Sequence, residues 1–313
     1  MRTRETSARW LGLAGLVVLA AAGCGGGERG QRAPGAADER APVVYTVNYP
    51  LQYFAQRIGG EYVRVVLPVP ADLDPAFWQP EPEVVGRYQA ADLILLNGAG
   101  YARWVERVSL PASKLVHTSA AFADELVRVE GAVTHAHGPG GEHAHEGIAF
   151  TTWLDPTLAQ QQAAAVAGAF AAAWPEHAEA FAAGLASLEA DLTALDGRLA
   201  AAVASHRAQP VLASHPVYQY LARRYGLNIE SVQWEPTEHP GGGQWREFRR
   251  LLSDHPARWM LWEGEPLAET AARLRGLGVE PVVFDQCGNV PENGDYLSVM
   301  WANAENLARA YGG

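Results

Sequence analysis

Residues 170–203 read FAAAWPEHAEAFAAGLASLEADLTALDGRLAAAV. The large apolar residues here are Phe170, Trp174, Phe181, Leu185, Leu188, Leu192, Leu195, Leu199 and Val203, three, four or seven positions apart. That spacing predicts one helical face about thirty residues long, interrupted only near Pro175. Asp196-Gly197 weakens the helix without ending it. On either side the pattern changes to short apolar runs alternating with helical segments. Before it, strands are expected at 43–47, 63–69 and 92–97, with helices at 50–58 and 84–90. After Gln209-Pro210 the alternation restarts: strands at 211–213, 259–262 and 279–284, and helices at 217–225, 268–277 and 295–311, with Gly226 as a stop. Such alternation implies parallel sheets flanked by helices. The fold class expected is therefore α/β, with two lobes (42–170 and 208–313) joined by one long linking helix at 171–207.

The first 24 residues set the compartment. Arg2, Arg4 and Arg9 precede an apolar run from Trp10 to Ala22, too short for a comfortable membrane span. It ends in LAAAGC at 19–24, which looks like a bacterial lipoprotein signal whose lipidated residue would be Cys24. Residues 25–41, GGGERGQRAPGAADERA, carry almost no large apolar side chains and read as a flexible tether. An extracytoplasmic protein held to the cell envelope by lipid is expected, as a monomer. With Cys24 lipidated, Cys287 is the one remaining cysteine and no intramolecular disulfide can form. The net charge is −11, and the segment 1–23 contains three Arg and one Glu, so the chain from Cys24 carries −13. That acidity argues against nucleic acid and anionic lipid as partners and mildly favours cations.

Four of the ten histidines crowd into THAHGPGGEHAHEG at 134–147: His135, His137, His143 and His145. Two His-x-His pairs on a glycine-rich loop (131–147) offer several imidazoles to a borderline cation such as zinc, copper or nickel. The plainer alternative is a solvated low-complexity loop.

Taken in order, a further set of motifs carries a resemblance. They are NYPL at 48–51, DPAFWQP at 74–80, ADLILLNG at 91–98 with Trp104, TWLDP at 152–156 before the long helix, SHPVYQYL at 214–221 and YGL at 225–227. From about 43 to 311 the chain resembles the solute-binding lipoproteins of bacterial zinc and manganese ABC transporters. The resemblance implies two lobes around a rigid helix, Zn(II) as the transported ligand (Mn, Ni or Cu less so), no organic cofactor, and an ABC permease with its ATPase as partners. The family site is three histidines and a carboxylate. The third position falls on His215, which leans towards zinc, and the fourth on Asp285. The first falls on Ala76 and the second on Thr151, neither of which can replace an imidazole.

Three readings stay open on these residues. Loop histidines fill the two vacated positions; or the cleft has lost its metal; or it holds another solute, with Trp78 and Trp153 packed where first-lobe ligands would stand. His215 could instead cap a helix beginning at Pro216, and Asp285 could be a turn residue. Glu263 reads as structural, Cys287 as a soft outside candidate, and His117, His177, His206, His239 and His255 as ordinary surface or core residues. No His-Glu-x-x-His, Gly-x-Ser-x-Gly or P-loop pattern occurs, so an enzyme is not expected, a metallohydrolase being the low alternative.

Overall fold

A computed structural model describes residues 41–129, 134–136, 142–144 and 147–312. The expected signal at 1–24 with Cys24, residues 25–40 of the tether, and His137 and His145 lie outside them. Two four-stranded parallel sheets organise the rest. The first is built from β1 (Val43–Thr46), α1 (Tyr49–Gly59), β2 (Arg64–Val66), α2 (Pro82–Ala90), β3 (Leu93–Leu96) and β4 (Leu115–His117), in the strand order β2-β1-β3-β4. Its central strands VVYT and LILL are short apolar runs because helices cover the sheet. Asn48 starts α1 where β1 ends: its side chain accepts the Leu51 N–H at 3.2 Å.

A small antiparallel ladder follows. β5 (Arg128–Val129) pairs with β8 (Gly147–Ile148), and between them β6 (Thr134–Ala136) pairs with β7 (Glu142–Ala144). His135 and His143 are register partners across β6 and β7.

The single helical face expected from residue 170 onward is two helices. α3 (Pro156–Ala173) ends, Pro175–His177 makes a 3₁₀ turn, and α4 (Ala178–Val203) begins. Proline explains the break: it lacks an N–H, and it drives the residue before it, Trp174, to φ −136°. The chain then doubles back. Phe170 meets Phe181 near the turn at 5.5 Å between rings, while farther along Gln160 donates to Thr193 at 2.9 Å. α4 follows the first sheet and precedes the second in chain order, with Leu188, Leu192, Leu195 and Leu199 all buried. Each contributes about 1.5–3 kcal/mol through burial.

The second sheet repeats the first: β9 (Pro210–Ala213), α5 (Gln219–Tyr225), β10 (Asn228–Ser231), α6 (Gly242–Asp254), β11 (Trp259–Trp262), α7 (Ala268–Gly276) and β12 (Glu280–Val283), ordered β10-β9-β11-β12. α8 (Tyr296–Tyr311) closes the chain behind its Asp295 cap and packs on α4. Gly226 ends α5 at φ +66°, as expected of a left-handed stop. No helix among the described residues is long and apolar enough to cross a membrane.

α1 crosses α4 at Gly184. A Cβ there would stand 2.8 Å from the Arg57 carbonyl oxygen and 2.9 Å from the Ile58 Cα. Those are backbone atoms and cannot swing aside. Gly184→Ala is therefore expected to cost about 1–3 kcal/mol through overpacking, outweighing the gain in helix propensity. Gly197→Ala, on the same helix with open space around it, should instead gain about 0.5–1 kcal/mol. Thermal unfolding of the two variants, moving in opposite directions, checks the crossing; equal shifts would refute it.

Candidate functional site

In parallel sheets, binding crevices form beyond the carboxyl ends of the strands, and the candidate residues lie there. His215 follows β9, Glu235 follows β10, Glu263 follows β11 and Asp285 follows β12. Together with Asp74 and Asn289 they line a cleft of about 510 Å³.

His215 is the best-defined of them, its side chain 5% exposed. Its Nδ1 lies 3.3 Å from the Trp234 carbonyl oxygen and 3.4 Å from Glu263 Oε1, and its Nε2 lies 3.4 Å from Glu235 Oε1. In the tautomer with its proton on Nδ1, held by the Trp234 carbonyl, the ring presents the Nε2 lone pair to a metal ion. The residue does not cap a helix: α5 starts at Gln219, and Val217 N–H closes a tight turn onto the His215 carbonyl at 3.0 Å.

Asp285 is held by Asn303, which accepts from its N–H at 3.0 Å and donates to its carbonyl at 2.6 Å. Its Oδ1 accepts the Cys287 N–H at 2.7 Å, so it is both a turn residue and a wall of the cleft. Burial raises its carboxyl above the usual range, against that hydrogen bond. Glu263 is pushed up to about 8, first by burial and then by the charges of Asp74, Glu235 and Asp285; a hydrogen bond from Gln286 opposes the rise. Several carboxylates facing one cleft with one imidazole favour a cation between them. Cys287 is a poor ligand, because burial, then Asp285 and Asp295, holds its thiol protonated well above neutrality.

The first-lobe side of the cleft has different tasks. Ala76 is buried, and its N–H donates to Asp74 Oδ1 at 2.8 Å, turning that carboxylate into the cleft wall. The Thr151 hydroxyl donates to the Val217 carbonyl at 2.5 Å. Trp153 does not fill the cleft; its Nε1 donates to the Gln286 carbonyl at 2.7 Å and its carbonyl accepts from Tyr296 at 3.0 Å. Trp78 stacks edgewise on Trp104 at 6.2 Å. Below them Asn48, Asn97, Thr118, Thr152 and Gln162 form a buried amide–hydroxyl network. It fixes the turn carrying Thr151 and Trp153, since a half-satisfied buried network would be costly.

The structure thus brings His215 and Asp285 to one cleft and adds Asp74, Glu235 and Glu263. Among the described residues no three His, Cys, Asp or Glu side chains stand assembled around an ion position. Of the loop histidines, His135 and His143 are placed by their backbone register. The other histidines are structural or solvated: His255 meets the Val211 carbonyl, His206 the Tyr311 carbonyl, His177 stacks on Tyr62, His239 lies exposed near Glu269, and His117 is exposed at the end of β4.

Known proteins share this architecture. The crystal structure of the metal-dependent lipoprotein YcdH from Bacillus subtilis superposes with a TM-score of 0.74 at 20% identity, over 87% of this chain and all of that one. The Zn(II)-bound ZnuA-like domain of Streptococcus pneumoniae AdcA gives the same TM-score, identity and coverage. At these identities the likeness is one of fold. In sequence the chain is 24% identical over 321 residues to the high-affinity zinc uptake system protein ZnuA of Bacillus subtilis strain 168, covering 94% of this chain and 96% of that protein. Residues 44–310 match the ZnuA family model, zinc-uptake complex component A, periplasmic, and the chain belongs to that family.

Proposed function

We propose that this protein is the extracytoplasmic solute-binding component of a zinc ABC transporter, tethered through Cys24, which captures Zn(II) in the cleft and delivers it to a permease and its ATPase. One observation carries the reading: the buried imidazole of His215 lines one cleft with Glu235, Glu263 and Asp285, beyond the carboxyl ends of the second sheet's strands, and with Asp74 from the first lobe. His215 and Asp285 serve as ligands. The vacancy left by Ala76 and Thr151 is made up in part by an imidazole from His135, His137, His143 or His145. Val129 and Ile148, at the base of that loop, line a pocket of about 30 Å³ together with His215 and Thr151, so the loop is rooted beside the site. Membership of the ZnuA family supports a carrier rather than a hydrolase.

The test is calorimetric titration with Zn(II) of chelator-treated protein starting at residue 25, beside a variant lacking 131–147. One tight site per chain is expected, weakened about 10- to 100-fold in the deletion, the scale at which supporting groups act on metal affinity. Unchanged affinity in the deletion would make the loop ancillary. Only weak, multiple binding by the intact protein would overturn the metal-capture reading.

A further inference from the structure

We infer that Glu235 is a metal ligand in this chain, pairing with His215 to compensate for one of the histidines the family site lacks. The inference rests on the metal-capture reading and deepens it.

Two donors on one tetrahedral ion, each with a bond of about 2.0–2.1 Å, stand roughly 3.3–3.4 Å apart. His215 Nε2 and Glu235 Oε1 are 3.4 Å apart. That is longer than a strong charge-assisted hydrogen bond, about 2.7–2.9 Å, and equals the edge of a tetrahedral site. A cis edge of an octahedral ion with the same bonds would be shorter, about 2.9 Å. The spacing therefore suits a tetrahedral divalent cation.

The pair is held by the fold rather than by its own attraction. Trp234 N–H donates to the Ser214 carbonyl at 2.8 Å, so the residues just before Glu235 and His215 are bonded backbone to backbone. Val232 N–H donates to the Ala213 carbonyl at 2.9 Å, continuing the β9–β10 ladder to the edge of the site. Trp234 itself is buried, its ring 4.7 Å from Trp245 and 4.9 Å from Phe248. An aromatic cluster thus locks the segment presenting Glu235, the kind of rigid support a first ligand shell requires. The carboxylate is nonetheless reachable. Its side chain is 26% exposed, and it borders both the cleft and an adjoining groove of about 580 Å³. On the far side of the imidazole, Glu263 and the Trp234 carbonyl both face Nδ1, so the backbone carbonyl competes for that nitrogen while Glu235 stands beside Nε2.

The experiment compares Glu235→Gln with Glu238→Gln, a carboxylate lining the same groove and carrying the same charge. Zn(II) affinity is read by calorimetry, and the visible spectrum of the Co(II)-loaded protein reports the ligand set. A ligand role predicts that Glu235→Gln weakens zinc at least a hundredfold and alters the Co(II) bands, while Glu238→Gln changes affinity less than threefold and leaves the bands alone. Equal small losses with an unchanged spectrum would show that Glu235 acts through charge alone, overturning the inference while metal capture stands. Failure of the unaltered protein to bind one zinc tightly would overturn both. The Gln variants are isosteric, at a partly exposed position (Glu235) and an exposed one (Glu238), and thermal unfolding verifies that each is folded.

Discussion

His215→Ala is expected to weaken zinc binding at least a hundredfold, roughly 3 kcal/mol or more. The size follows from what the imidazole does. It is the one imidazole that the described residues bring into the cleft, and it lies between Glu235 and Glu263 at 3.4 Å from each. Without it the carboxylates face one another with no donor between them, and an incoming ion must be held by oxygen and by the loop. Position matters as much as residue type. His239, exposed at the rim with Glu269 4.0 Å away, should give less than a threefold change as His239→Ala. Calorimetry on the two variants, with Co(II) absorption as a second readout, separates them. If His215→Ala kept tight binding, the histidine loop would be the capture site, and the cleft would need another solute.

Much of the fold was legible because its determinants are local. The apolar period along 178–203, the short runs at 43–46, 93–96, 211–213 and 259–262, and the stop at Gly226 all report their elements directly. What was missed has a physical cause in each case. β10 reads NIES, a polar edge strand with one neighbour, so it shows no apolar run. α6 opens on two glycines and is rich in arginine, with only Trp245 and Phe248 buried. The break at Pro175 was visible, but not that the chain reverses there; the reversal is decided by tertiary contacts of Phe170 and Phe181. The site divides in the same way. His215 and Asp285 follow apolar strands and carry a motif, whereas Glu235 sits in a loop twenty positions from His215 in the numbering and meets it only through the register Ser231 to Ala213. Parallel pairing of 210–213 with 228–231 would have pointed to it, had that edge strand been recognised.

Glu263 should make the protein's response to pH change sign on loading. Its carboxyl is raised from 4.5 to about 8, chiefly by burial. The unfolded chain ionises this group near 4.5, so its contribution to stability is full below that pH and erodes as pH rises. It is gone above about 8; Asp285, also raised, acts in the same direction. A shift from 4.5 to about 8 corresponds to no more than roughly 3–5 kcal/mol. The unloaded protein should accordingly melt about 5 °C or more lower at pH 8.5 than at pH 5.5. A dication beside the carboxylates reverses the balance by favouring the ionised form. Near pH 7 zinc binding should therefore expel about one proton from Glu263, visible as a dependence of the calorimetric heat on the ionisation enthalpy of the buffer. Affinity then rises with pH up to about 8, higher than the unperturbed histidine value of about 6.5 alone would give. Glu263→Gln isolates the cause. Its amide oxygen can still accept from Gln286, so the wall is retained while the proton is lost. The variant should be more stable than the native chain at pH 8.5 when unloaded, and should release correspondingly less proton on binding. Persistence of the full pH slope in Glu263→Gln would assign it elsewhere, with Asp285 the next carboxylate to replace.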